Sequence, residues 1–198
     1  MSKIVDYYYT HLSPWSYMGH ARFLAIAARH GATINFKPSS FAEIFPLSGG
    51  LPVAKRPPQR RAYRMMELRR WRDFLGIELN LEPKYFPVPD ENVQHFGIAS
   101  GVMGLDMGKL SGALLHAVWA EDRDVSDDDT LVAVANEQGM DGAAILNRSK
   151  DGDIAARYEA NTQEAIKRNV FGAPTYIYKD ELFWGQDRLD FVDRALAD

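Results

Sequence analysis

The sequence predicts an α/β fold: a mixed sheet flanked by helices and interrupted by a long all-helical insertion. Three observations predict it. Apolar periodicity runs strand, helix, strand over residues 1–38, and two strands joined by a helix form a parallel unit. Residues 39–169 are then largely helical in pattern. Strand patterns return only at 175–179 and 181–184, separated by little more than Lys179-Asp180, so this last pair must be an antiparallel hairpin. Residues 1–38 and 170–198 therefore make one discontinuous sheet domain, and 39–169 the insertion, with its last helix packing back on the sheet.

Each element has a local reason. The run Lys3-Ile-Val-Asp-Tyr-Tyr-Tyr9 is a strand, and Tyr17, Ala21, Leu24 and Ala28 follow at helical spacing. Gly31 stops that helix, and Thr33–Lys37 is a second strand ending at Pro38. From 40 to 58 the prolines and glycines predict a loop, long enough to be functional or mobile. Met65, Leu68, Trp71 and Leu75 form an apolar stripe on a basic helix, which ends before a proline-rich break at 83–89. Helices are predicted near 91–102, 107–121, 128–138, 141–149 and 153–168, with Gly, Asp and Ser between them as stops and caps. A final helix from about 187 carries Leu189, Val192 and Leu196 on one face.

Composition excludes several functions. The chain has 198 residues and no cysteine, so disulfides, thiolate metal sites, iron–sulfur clusters and dithiol redox chemistry of its own are ruled out. No apolar stretch approaches the roughly 20 residues that cross a bilayer, and the N-terminus has no secretory pattern, so a cytoplasmic protein without a membrane partner is expected. The net charge of −4 is uneven: between Lys55 and Arg72 eight basic residues face Glu67 alone. Nucleic acid is a poor partner for a chain that is acidic elsewhere, and anionic small molecules fit better. An arginine-rich solvated helix face also explains most of these side chains.

Two short segments carry the chemistry. Ser13 sits where a strand gives way to a helix, with Pro14 in the first turn, so it is an N-cap. A helix N-terminus also stabilises an anion. There is no Gly-x-Ser-x-Gly elbow, and His11, His20, His30, His95 and His116 show no spacing for a triad or a metal pair, so no metal is expected and His11 is a loop histidine. Near the other end, Phe171-Gly172-Ala173-Pro174-Thr175 enters a strand. It is followed by Gly185-Gln186-Asp187-Arg188, where Asp187 is a helix cap.

Ser13-Pro14-Trp15-Ser16 resembles the Ser-Pro-aromatic-Ser motif of 2-hydroxychromene-2-carboxylate isomerases and kappa-class glutathione transferases. The Ala173-Pro174 run is similar to their cis-proline loop, and Gly185-Gln186-Asp187-Arg188 to their Gly-x-Asp-Arg turn. The resemblance implies a thioredoxin-like fold of the DsbA kind, a homodimer, and glutathione as cofactor. It assigns Ser13 to the glutathione sulfur as the catalytic group. Pro14 and Trp15 lie beside it, Ala173 and Pro174 pair with the cysteinyl part, Gln186 and Asp187 take the γ-glutamyl end, and Arg60 takes the glycyl carboxylate. The implied substrate is a small aromatic carboxylate, with Trp15, Phe41, Tyr85 and Phe86 as candidates for its pocket, although core packing also explains each singly. The implied reaction is glutathione-dependent isomerisation of 2-hydroxychromene-2-carboxylate to trans-o-hydroxybenzylidenepyruvate. A kappa-like transferase and a non-enzymatic thiol-binding module are the alternatives. Gly50 stands where kappa-like members carry Asn, so one polar contact of the family is missing.

Overall fold

The computed structural model describes residues 2–197. Strand β1 (Ile4–Tyr9), helix α1 (Pro14–Arg29) and strand β2 (Thr33–Pro38) open the chain, and a helical block follows. The block comprises α2 (Phe41–Ser48), α3 (Pro58–Leu75), α4 (Glu91–Val102), α5 (Met107–Trp119), α6 (Asp128–Glu137), α7 (Gly142–Ser149) and α8 (Gly152–Lys167). Strands β3 (Thr175–Tyr178) and β4 (Glu181–Trp184) and helix α9 (Leu189–Ala197) complete the fold. The sheet order is β2-β1-β3-β4, with β1 and β2 parallel and the other neighbours antiparallel. Tyr7 lies opposite Tyr176, and Thr175 opposite Trp184. Lys179 and Asp180 both adopt positive φ, as the mirror-image turn of a two-residue hairpin requires.

Alternation along β1 sends its tyrosines to opposite faces. Tyr7 stacks on both Tyr9 and Tyr176, and these rings pack with Phe23 of α1 and Val192 of α9, while Tyr8 faces Phe41, Ala165, Val170 and Ile177. Helix α8 packs back on the sheet through that second face. Glu164 accepts from Tyr8 at 2.7 Å and from Lys37 at 2.6 Å. A third core, built around Trp119, Phe96, Leu114 and Leu131, belongs to the helical block. Asp106, Asp127 and Asp141 cap α5, α6 and α7 by accepting main-chain N–H bonds, which is why acids punctuate this stretch.

Two expectations are corrected. Residues 40–58 are not simply a loop, because Phe41–Ser48 is helical with Pro46 inside it and Gly49 in the left-handed conformation at its end. Phe41 and Ile44 bury one face of this short helix, and that apolar pair outweighs the backbone bond that Pro46 removes. Helix α1 is present, yet its buried face is not the stripe of Tyr17, Ala21, Leu24 and Ala28, since both alanines are exposed. The sheet side is instead Ser16, Gly19, His20, Phe23 and Ala27, whose small and polar members hide it from a hydropathy pattern.

Candidate functional site

Ser13 is the N-cap of α1: its backbone is extended, and its Oγ accepts from the Ser16 N–H at 3.1 Å. The same hydroxyl donates to the carbonyl of Ala173 at 3.3 Å, a long bond that a better acceptor could displace. The Ala173-Pro174 peptide is cis, and the Pro174 carbonyl accepts from the Gly185 N–H at 2.9 Å. Three segments distant in sequence therefore meet at one point, the end of the sheet where β1 feeds α1. Gly172 is tight there, because a Cβ would lie 2.2 Å from Nε1 of Trp184. At Gly185 the φ of 100° excludes other residues in practice, and this turn carries the chain from β4 to Gln186–Arg188.

Beside this point, Asp187 is exposed and pairs with Arg188 at 2.7 Å. Gln186 is buried, and its Oε1 accepts from Arg22 of α1 at 2.7 Å. Arg22 was not among the residues the sequence singled out; it lies in the third turn of α1, and its partner is 164 positions away.

The loop between β1 and Ser13 is held by a buried polar chain. His11 is fully buried, with Nδ1 2.7 Å from Gln94 Oε1 and Nε2 3.2 Å from Ser111 Oγ. The Gln94 amide donates to Thr10 at 2.8 Å and to Asp90 at 3.0 Å, and the Thr10 carbonyl accepts from the Ser13 N–H at 3.1 Å. Because the Gln94 nitrogen is spent on those acceptors, its oxygen takes the His11 Nδ1–H, which fixes the neutral tautomer. Burial pushes the His11 pKa down to about 3. His11 is thus a loop histidine, as expected, but a fully buried one that acts as a strut under the serine.

The remaining sequence candidates scatter. Pro14 is the first residue of α1 and buried, and Trp15 is half-buried against the helical-block core. Phe41 is only 6% exposed and packs on Tyr8 and Ile177, which removes it from the aromatic pocket. Tyr85 is half-buried, with the Lys84 ammonium 4.7 Å from its ring centre, and Phe86 leans on Trp119. Arg60 is exposed in the first turn of α3. A Cβ on Gly50 would lie 2.5 Å from Cδ1 of Phe45, so that ring fills the space an Asn side chain would need. A cleft of about 600 Å³ between α2, α4 and α8 is lined by Glu43, Asp90, Glu91 and Glu159, an environment that repels anionic ligands. Among the described residues no helix is long and apolar enough to cross a membrane, and none group as a metal site.

Chemically, this arrangement offers a hydroxyl and a helix N-terminus to an anion, but no thiol of its own. Comparison with known proteins is consistent with that chemistry. A family model of the DsbA-like thioredoxin domain matches residues 4–197. The chain is 30% identical to a 2-hydroxychromene-2-carboxylate isomerase of Pseudomonas sp. (strain C18), over 98% of this chain and 90% of that one. It is 22% identical to glutathione S-transferase kappa 1 of Rattus norvegicus, over 99% and 92%. A solved structure of a 2-hydroxychromene-2-carboxylate isomerase superposes with a TM-score of 0.77 at 27% identity, covering 98% of this chain and 94% of that one. The chain thus belongs to the DsbA-like thioredoxin-domain family and, within it, to the 2-hydroxychromene-2-carboxylate isomerase family.

Proposed function

We propose that the protein is a glutathione-dependent isomerase that converts 2-hydroxychromene-2-carboxylate, or a related bicyclic aromatic, to trans-o-hydroxybenzylidenepyruvate. The observation that carries this reading is the meeting of the Ser13 hydroxyl with the Ala173 carbonyl before the cis Pro174, in a chain without cysteine. Such a site can host a thiolate that arrives with a ligand.

The donor set fits a thiol tripeptide. Ser13 is 8% exposed, so its hydroxyl can still be reached. Asp187 offers a carboxylate to an ammonium, and Gln186, its oxygen tied to Arg22, turns its NH2 towards a carboxylate. Bound there, glutathione supplies a thiolate that adds reversibly to the conjugated substrate, so that ring opening and rotation about a single bond replace rotation about a double bond. Ser13 leaves its long bond to Ala173 and donates to the sulfur, favouring the ionised form together with the α1 N-terminus. The His11–Gln94–Thr10 chain holds the Ser13 loop still while the hydroxyl reorients.

The test is the ultraviolet absorbance of 2-hydroxychromene-2-carboxylate incubated with the protein, with and without glutathione. Conversion that needs glutathione and consumes no thiol supports the isomerase. Stoichiometric loss of thiol into a conjugate would instead favour a transferase, the reading that the kappa relative suggests. Hydrogen bonds to charged groups contribute about 1.5–3 kcal/mol, so Ser13→Ala is expected to lower kcat/KM by about 10- to 100-fold. Undiminished activity in Ser13→Ala would remove the serine from the mechanism.

A further inference from the structure

Several of the partly buried arginines of this chain are paired. Arg123 holds Glu121 and Glu137, Arg148 holds Asp151 and Asp153, and Arg168 holds Asp6 and Asp180. Arg64, like Arg56 and Arg22, has no carboxylate partner among the described residues. It is half-buried on α3, its guanidinium lies 5.7 Å from the ring centre of Phe86, and its one side-chain bond is a 3.9 Å contact to the Met65 sulfur. No carboxylate among the described residues pairs with it, and the charge of Arg56 acts on it repulsively. Arg56 is itself half-buried and tethered, its Nε donating to the Leu51 carbonyl at 2.8 Å.

Two neighbouring guanidinium groups, both partly removed from water and neither neutralised, cost stability in the free protein. Burial and the repulsion from Arg56 push the Arg64 pKa down to about 10. A carboxylate bound at Arg64 would offset both the burial and the repulsion, and would accept a forked, charge-assisted pair of bonds. Stacking on Phe86 holds the fork in place beforehand and sets an aromatic surface beside the anion. Phe86, Met65 next to Arg64, and Trp15 next to the Ser13-Pro14 turn all pack against the apolar core of the helical block.

We propose that Arg64, backed by Arg56, is a carboxylate-binding site flanked by an aromatic wall. The inference rests on the isomerase reading for its ligands, which supply two such carboxylates: that of the bicyclic aromatic substrate and the glycyl carboxylate of glutathione. Arg60, four residues earlier and exposed, is free to serve the other.

The experiment needs no turnover. Binding of 2-naphthoate and of uncharged 2-naphthamide is followed by tryptophan fluorescence, and binding of S-methylglutathione by calorimetry, in the wild type, Arg64→Met and Arg64→Lys. If the site receives the aromatic carboxylate, Arg64→Met weakens 2-naphthoate by about 10- to 100-fold, leaves the amide unchanged, and Arg64→Lys recovers part of the loss. If it receives the glycyl carboxylate, the same losses fall on S-methylglutathione. Unchanged binding of both acids in a folded Arg64→Met protein overturns the site. A negative isomerase assay alongside an Arg64-dependent carboxylate effect would sink the proposed reaction while keeping the site.

Discussion

One hydrogen bond decides which way the Gln186 amide faces. A guanidinium can only donate, so the 2.7 Å contact from Arg22 requires the amide oxygen on that side and presents the NH2 on the other. Gly19 makes the arrangement possible, since a Cβ there would lie 2.9 Å from Gln186 Cβ and 2.8 Å from the Tyr176 hydroxyl. In the proposed binding mode this makes Arg22 a positioning residue for the γ-glutamyl end. Arg22→Met is expected to raise KM for glutathione about tenfold with little change in kcat, while cysteinylglycine, which lacks the γ-glutamyl group, is used equally well by both proteins. An equal loss with both thiols in steady-state assays would mean that Arg22 acts on the fold and not on the ligand.

At the scale of elements, the four prolines and two glycines of 40–58 concealed the apolar face of α2. Phe41 belongs to that face and to the core beneath α8, so its loss should be felt in stability. Phe41→Ala is expected to cost about 3–5 kcal/mol in urea unfolding. KM for the aromatic substrate should stay within about twofold, whereas a pocket residue would show the opposite pattern. The strands and most helices were legible because their causes are local: Lys179-Asp180 permits one hairpin, and Asp106, Asp127 and Asp141 mark helix starts. The buried face of α1 was not legible, because Ser16, Gly19 and His20 are chosen by close contact with the sheet, and hydropathy does not register that.

Across the whole molecule, the segments at Ser13, Ala173-Pro174 and Gly185–Asp187 could be picked out in the sequence because each is a short, contiguous motif that carries the family resemblance, while from local chemistry alone they read as caps and a turn. Arg22, Arg64 and the His11 chain could not, since each gains its role from partners brought near only by the fold. Those buried histidines also set how the protein responds to acid. Burial holds the His11 pKa at about 3, and burial lowers that of His20, which sits between the Gly108 carbonyl and the Tyr7 hydroxyl. In the unfolded chain a histidine titrates near 6.5. Between those values the unfolded state binds protons that the folded state refuses, so stability falls as pH falls through 6.5. For His11 alone the loss is about 2 kcal/mol at pH 5. Carboxylates whose pKa is lowered by pairing, such as Asp193 with Arg29 and Glu164 with Lys37, add their losses only on further acidification through the carboxylate range. The window from pH 6.5 to 5 therefore belongs to the histidines. Urea unfolding between pH 7.5 and 5 should show the wild type losing at least 2 kcal/mol. His11→Gln, less stable at pH 7.5 for want of its packed network, should lose correspondingly less over the same range. A flat wild-type profile would mean that His11 accepts a proton in place, and that the strut beneath Ser13 can carry charge.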